Sequence, residues 1–277
     1  MSNARSRVAE AVWRFAGTAG KYLLVALVTL FAAFPVIYMF VTSLKTRAML
    51  YEPAMVLFTP TLDNYRVTLE KYGLQKYLLD TLIVALSNVA VCIVLGTITA
   101  YGLYRFALPH KKKILFGILS SRIFPSIALV LPFYIIGLTL RALDTYAILT
   151  VAFMVFNLPF VVIMMKSFFD NVPPELEEAA MLDGCSRLQA LYRVVLPQIK
   201  TGLFATAIMC FMFAWNEFTY ALFLTSTNVN MVATAIAFFK TERGILWGEV
   251  SALGIVAVLP IVVMCFLTQK YIVKGMT

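Results

Sequence analysis

The chain has 277 residues, of which 61% are hydrophobic and 13% charged, with a mean hydropathy of +0.87. Soluble domains carry roughly 25% charged residues, so the composition argues against a water-soluble enzyme and for a protein whose solvent is a bilayer. The net charge of +9 fits Lys and Arg biased to one membrane face and touching anionic lipid better than it fits nucleic-acid binding.

Six apolar stretches have the roughly 17–25 residues that cross a bilayer as helix: Tyr22–Ser43, Thr81–Leu103, Ile114–Leu140, Tyr146–Met165, Leu203–Thr225 and Val250–Thr268. None shows the alternation of a spanning barrel strand. The first follows Arg5, Arg7, Arg14 and Lys21; its apolar run is too long for a signal peptide and reads as a retained helix. In the long connection Leu44–Asp80, Pro53 and Pro60 break the first half, and Leu62–Tyr77 predicts a short amphipathic helix opening at Asp63 or Asn64. Asp80, at the outer end of span two, reads as solvated, and Ser87, Asn88, Thr97 and Thr206 read as packing residues. Arg105–Lys113 is a short basic turn holding the only histidine, His110. Spans three and four form a tight hairpin over Arg141–Thr145. In the connection Ser226–Glu249, Phe238, Phe239 and Trp247 suit the membrane interface. Cys92, Cys185, Cys210 and Cys265 have no metal-like spacing and read as small packing residues. Short loops rich in Lys and Arg place both termini on the cytoplasmic side.

The polar link between spans four and five, 167–202, carries the densest local signals. Pro173 and Pro174 suit a helix start, with Glu175, Glu177 and Glu178 in the first turns where the macrodipole favours them. Leu176, Ala179 and Ala180 share a face at helical spacing. Gly184 predicts a left-handed C-terminus, and Ser186 with Gln189 a capping box for a second helix. That helix places Leu188, Leu191, Tyr192 and Val195 on one stripe and stops before Pro197. The segment reads as an elbow bent at Gly184, either lying on the membrane or packing its small Ala179-Ala180 surface against another protein.

The run Glu178-Ala179-Ala180, three residues, Gly184, nine residues, Val194-Val195-Leu196-Pro197 resembles the signature of membrane subunits of bacterial binding-protein-dependent ABC importers, with Val194 in place of isoleucine. Ala100-Tyr101-Gly102, Asn157-Leu158-Pro159-Phe160, Phe213-Ala214-Trp215-Asn216-Glu217 and the ending Gln269 to Thr277 are similar to the carbohydrate branch, in particular the second permease subunit of the maltose, glycerol-phosphate and polyol type. The resemblance implies an all-α, six-span, N-in/C-in permease of the type I importer fold, a single transmembrane domain over 1–277, in the bacterial inner membrane. It implies four partner chains: a second permease subunit forming a heterodimer, two ATP-binding subunits and an extracytoplasmic sugar-binding protein. Glu178, Ala179, Ala180, Asp183, Gly184, Leu196 and Pro197 match the ATPase-coupling positions. ATP and Mg²⁺ belong on the partner ATPases, and this chain binds no cofactor or metal.

The residues agree with that division of labour: there is no phosphate-binding loop G-x-x-x-x-G-K-[ST], no H-E-x-x-H and no nucleophile elbow. Polar groups inside spans are expensive and mark the path candidates Arg122, Asn157, Asn216 and Glu217. Arg122 either snorkels toward headgroups or lines a cavity, with Glu217 its natural partner by charge. Asn157, before Pro159, either faces the path or makes an interhelical bond. The rival reading, an ion-gradient-driven secondary transporter, calls for matched broken spans in two repeats and a relay of ionisable groups.

Overall fold

The computed structural model describes residues 2–52, 58–235, 239–241 and 244–275; Pro53, Phe238, Met276 and Thr277 lie outside them. The chain runs α1 (Ser2–Ser43), α2 (Arg47–Leu50), α3 (Asp63–Glu70), α4 (Leu74–Arg105), α5 (Lys111–Ser120), α6 (Ser126–Thr139), α7 (Tyr146–Phe169) and α8 (Pro174–Leu182). There follow α9 (Arg187–Ala190), α10 (Leu196–Gln198), α11 (Lys200–Trp215), α12 (Thr219–Leu224), α13 (Val232–Ala235), a ribbon of β1 (Lys240–Thr241) with β2 (Gly244–Ile245), and α14 (Trp247–Gly275).

The packed centre is α4 against α7 and α11, while α1 lies along α14 on the outside. Along its spanning length α1 leaves large apolar side chains uncovered, Phe31 at 84% exposure being the extreme. Its C-terminal carbonyls, which lack the usual intrahelical donors, are taken up by the turn that follows and by α3. The Leu44 and Lys45 N–H groups reach the carbonyls of Val41 and Thr42, and Asn64 Nδ2 donates to those of Ser43 and, just beyond the helix, Lys45, both at 2.8 Å. The helix expected over Leu62–Tyr77 is shorter, ending at Glu70, because Gly73 takes a left-handed φ of +63° and starts α4 at Leu74.

Helix α4 has 32 residues, about 48 Å of rise, and outruns the expected Thr81–Leu103 at both ends. Its join to α7 is close and polar at the centre. Gly96 sits against Val161, where a Cβ would lie 2.5 Å from Val161 Cγ1. Asn157 Nδ2 donates to Asn88 Oδ1 at 2.6 Å and to the Cys210 carbonyl at 3.2 Å, while Asn88 Nδ2 reaches the Thr150 carbonyl at 2.9 Å. Three helices are thus tied at one depth by two fully buried amides.

Two spans expected as single helices are broken. Span three bends by 91° between Lys111–Ile123 and Ser126–Thr139: Pro125 has no N–H to continue the ladder and forces Phe124 out of the helical region, to ψ 125°. Span five stops at Trp215 rather than running to Thr225. Asn216 Nδ2 bonds back to the Met212 carbonyl at 2.8 Å, and Glu217 Oε1 accepts the Tyr220 N–H at 3.0 Å, so side chains take over from the backbone ladder and open α12.

One apolar cluster gathers Val84, Phe153, Trp215, Tyr220 and Met231; a second, nearer the elbow, gathers Cys92, Tyr101, Met165, Phe169 and Val195. A third holds Phe239, which is buried against Tyr72 at 4.7 Å instead of facing the interface; Trp247 is exposed as expected. Cys92 and Cys210 are buried packing residues, whereas Cys265 is exposed.

Gly96→Val is expected to lower stability by about 1–3 kcal/mol through overpacking, with partial recovery in Gly96→Val/Val161→Ala. Thermal unfolding of the purified protein in detergent reads both; an unchanged midpoint for the single variant contradicts the close α4–α7 contact.

Candidate functional site

The elbow is built as two capped arms. Pro173 and Pro174 open α8, and Gly184 closes it at φ +92°. The Cys185 N–H reaches the Ala180 carbonyl at 3.0 Å and the Gly184 N–H reaches that of Met181 at 3.1 Å, the paired bonds of a Schellman end. The expected capping box is present: Ser186 Oγ accepts the Gln189 N–H at 3.3 Å and Gln189 Oε1 accepts the Ser186 N–H at 2.9 Å.

The second arm does not stop before Pro197. It continues from α9 through a π-helical turn, Leu191–Val195, into α10. A proline ring clashes with the carbonyl four residues back; the wider turn, in which the Leu196 N–H bonds to the Leu191 carbonyl, makes room for it. The chain then turns by 81° at Ile199 into α11.

Both expected stripes are split by the fold. Ala180, Leu191 and Val195 are buried against the body, as is Glu177 at 1% exposure. Leu176 and Ala179 face outward, and Leu182, Leu188 and Tyr192 stand out at 90%, 72% and 76% exposure. Glu178, Asp183, Arg187 and Arg193 form an exposed polar rim, while Leu196 is half-buried and Pro197 exposed.

Sequence reasoning missed what holds the elbow down. Tyr101 OH and Glu177 Oε1 are 2.6 Å apart, Arg105 Nε lies 3.3 Å from the same oxygen, and Arg105 Nη2 lies 3.2 Å from Glu178 Oε1. Glu177 read as one of three first-turn acids, and Arg105 as the start of a basic loop; no local pattern separates a buried ion pair from either.

Of the path candidates, Arg122 lies on the 3₁₀ turn Ser121–Ile123 beside the break in span three. It is exposed, with its guanidinium 5.4 Å from the Phe160 ring and 5.7 Å from the Phe213 ring, two rings that meet edge to face at 5.1 Å. Asn216 and Glu217 form the break in span five. Arg122 and Glu217 are not among the ion pairs of the described residues. Asn157 is wholly buried in the Asn88 network. Non-helical backbone at membrane depth is tolerated only when enclosed by protein or lining a water-filled cavity, which singles out the two breaks over the unbroken helices.

On the side opposite the elbow, two carboxylates hold the segment after α12. Asp80 is buried rather than solvated: it accepts from Lys76 Nζ at 2.7 Å, Tyr146 OH at 2.7 Å and the Asn230 N–H at 2.8 Å. Asp144 receives the N–H groups of Ser226, Thr227, Asn228 and Val229 at 2.8–3.0 Å. Partial burial pushes the Asp144 carboxyl up, but the backbone donors from Asn228, Ser226, Val229 and Thr227 outweigh it and hold the group well below the usual carboxylate range.

Residues 92–277 match the family described as binding-protein-dependent transport system inner membrane component. The chain belongs to this family. It is 32% identical over 266 residues to a sulfoquinovosyl glycerol transport system permease protein of Agrobacterium fabrum, covering 95% of this chain and 93% of that one. It is 33% identical over 254 residues to a trehalose transport system permease protein of Mycobacterium tuberculosis, covering 91% and 93%. In fold it resembles, with a TM-score of 0.76 and 23% identity over 93% of this chain and 96% of the other, a chain of a bacterial ABC transporter involved in the import of the acidic polysaccharide alginate. The described helices are therefore those of a multi-pass inner-membrane permease with the type I fold.

In this permease Asp144 titrates below its unfolded value, so its contribution to stability is fully present above about pH 4 and is lost as pH falls through the depressed folded value. At neutral pH, Asp144→Asn is expected to speed hydrogen exchange at 226–229 by roughly tenfold or more. Exchange as slow as in the unaltered chain contradicts the carboxylate's role.

Proposed function

We propose that this chain is one of two permease subunits of an ATP-driven importer for a sugar, polyol or sugar derivative, coupled through the elbow at 167–202 to ATP hydrolysis in partner subunits. The observation that carries the reading is the elbow's two-sidedness: Glu177, Ala180, Leu191 and Val195 are anchored in the body, and Leu182, Leu188 and Tyr192 are uncovered. Uncovered apolar side chains set among charged ones are the anatomy of a protein contact. A cleft on an ATP-hydrolysing subunit is the occupant the family reading supplies, with Glu178, Ala179, Asp183 and Gly184 at the contact and Leu196-Pro197 setting the second arm's exit. The sugar class rests on relatives named for trehalose and sulfoquinovosyl glycerol transport.

In this reading the elbow lies in the cytoplasm, and closure of two ATPase subunits on ATP and Mg²⁺ draws the elbows of this chain and its partner permease together. The nucleotide cycle shifts an equilibrium between inward- and outward-open states only as far as elbow contacts differ between them. An extracytoplasmic binding protein delivers the sugar on the opposite face, onto surfaces that include 44–80. Arg122, Asn216 and Glu217, at the two breaks, are the path-lining groups, and Asn157 supports the packing beside them.

Co-purification of the tagged chain with an ATPase subunit and a second permease tests the assembly; a chain that transports alone, driven by an ion gradient, contradicts it. Leu182→Glu places a charge in the contact and is expected to weaken ATPase retention by roughly tenfold or more. Gly184→Val forces a β-branched residue into the left-handed region, at roughly 1–2 kcal/mol, and is expected to leave membrane insertion intact while uncoupling hydrolysis from uptake. Arg122→Ala and Glu217→Gln are expected to change uptake affinity or rate severalfold; wild-type uptake in both removes them from the path.

A further inference from the structure

Helix α4 carries a polar cluster at each end, and the docking surface accounts for neither. At the elbow end, Tyr101 and Arg105 converge on Glu177, with Tyr101 6% and Glu177 1% exposed. At the far end, Asp80 holds the Asn230 N–H, Lys76 Nζ donates to the Asn228 carbonyl, and Thr81 Oγ1 accepts the Val232 N–H at 2.9 Å. One helix therefore grips the elbow with its last turn and the 228–232 segment with its first two.

A buried ion pair is a poor way to add stability, since apolar residues of the same volume hold two helices together as well or better. The directional bonds beside it, Tyr101 OH with Glu177 Oε1 and Arg105 Nη2 to Glu178 Oε1, instead fix where α8 sits relative to α4. Glu177 Oε2 is buried with no hydrogen-bond partner among the described residues, so half of the carboxylate's accepting capacity is unused.

Among the described spans, α4 is also the one that is neither broken nor carries an internal proline. Helices α1, α6, α7 and α14 each run on through an internal proline, Pro35, Pro132, Pro159 and Pro260, and spans three and five are broken outright. The covalent continuation of the elbow, α11, ends at Trp215. Helix α4, 32 residues long and free of proline, therefore offers elbow displacement a continuous helical route to the 228–232 segment.

We propose that Glu177 and Arg105 are positioning residues that clamp the elbow to α4, and that α4 carries elbow displacement as a rigid body to the 228–232 segment on the opposite face. This rests on the importer reading above. It assigns a coupling role to residues that sit behind the ATPase contact, Arg105 reaching Glu178 at its edge, and away from the path candidates.

The test uses the whole importer, with its own partner chains, in proteoliposomes. It reads the ratio of ATP hydrolysis with loaded binding protein to hydrolysis without it. Glu177→Gln and Thr81→Val, which removes the acceptor of the Val232 N–H, are each expected to lower that ratio by roughly fivefold or more, with subunit composition and basal hydrolysis unchanged. The double variant falls no further than the lower single, because both cut one line. Arg105→Lys, which keeps a cation beside Glu177, retains more of the ratio than Arg105→Gln. If Glu177→Gln does not assemble, Tyr101→Phe, which deletes one hydroxyl, takes its place. An unchanged ratio in the singles, or losses that multiply in the double variant, overturns the proposal. A wild-type complex lacking ATPase subunits overturns the importer reading itself, and this proposal with it.

Discussion

A backbone N–H or C=O left without a partner in hydrocarbon costs several kcal/mol, and that penalty organises this molecule. Every apolar stretch answers it by becoming helix. The two places where helix is abandoned, Phe124–Pro125 and Asn216–Phe218, are reorganised around polar side chains and a proline. The same penalty explains the caps outside the spans: Asn64 on the end of α1, the Schellman turn at Gly184, and Asp144 beneath four successive N–H groups.

The packing that results is graded. The α4–α7–α11 centre is locked by a glycine contact and an amide network, whereas α1 is held along one side only. A rigid centre with polar anchors at both ends suits a protein that moves as bodies rather than by local melting. The elbow is pinned to that centre through a desolvated carboxylate and three apolar side chains, so force applied to its uncovered side reaches the bundle instead of being lost in a flexible linker.

Much of this was legible in the chain. Apolar run length gave six spans, and the elbow's caps were readable because Pro174, Gly184 and the Ser186–Gln189 pair act within a turn or two of themselves. What escaped was set at long range. The breaks in spans three and five hide in stretches whose hydropathy never falls, although Pro125 and Asn216-Glu217 were the signals. The elbow stripes were assigned from spacing alone, but which half is buried depends on where α4 ends, and so Leu188 and Tyr192 parted from Leu191 and Val195. Asp80 looked solvated because its partners, Tyr146 and Asn230, lie 66 and 150 residues away. Arg105 and Glu177 are 72 positions apart, and nothing local announces their meeting.

The central claim is mechanical: the uncovered side of the elbow is a contact surface for an ATP-hydrolysing partner. A structure of the assembled importer at side-chain resolution tests it most directly. The account predicts Leu182, Leu188 and Tyr192 buried in a cleft of the ATPase subunit, with Glu177 still hydrogen-bonded to Tyr101 and paired with Arg105. Finding those three side chains in lipid, or on the face that meets the binding protein, would contradict it.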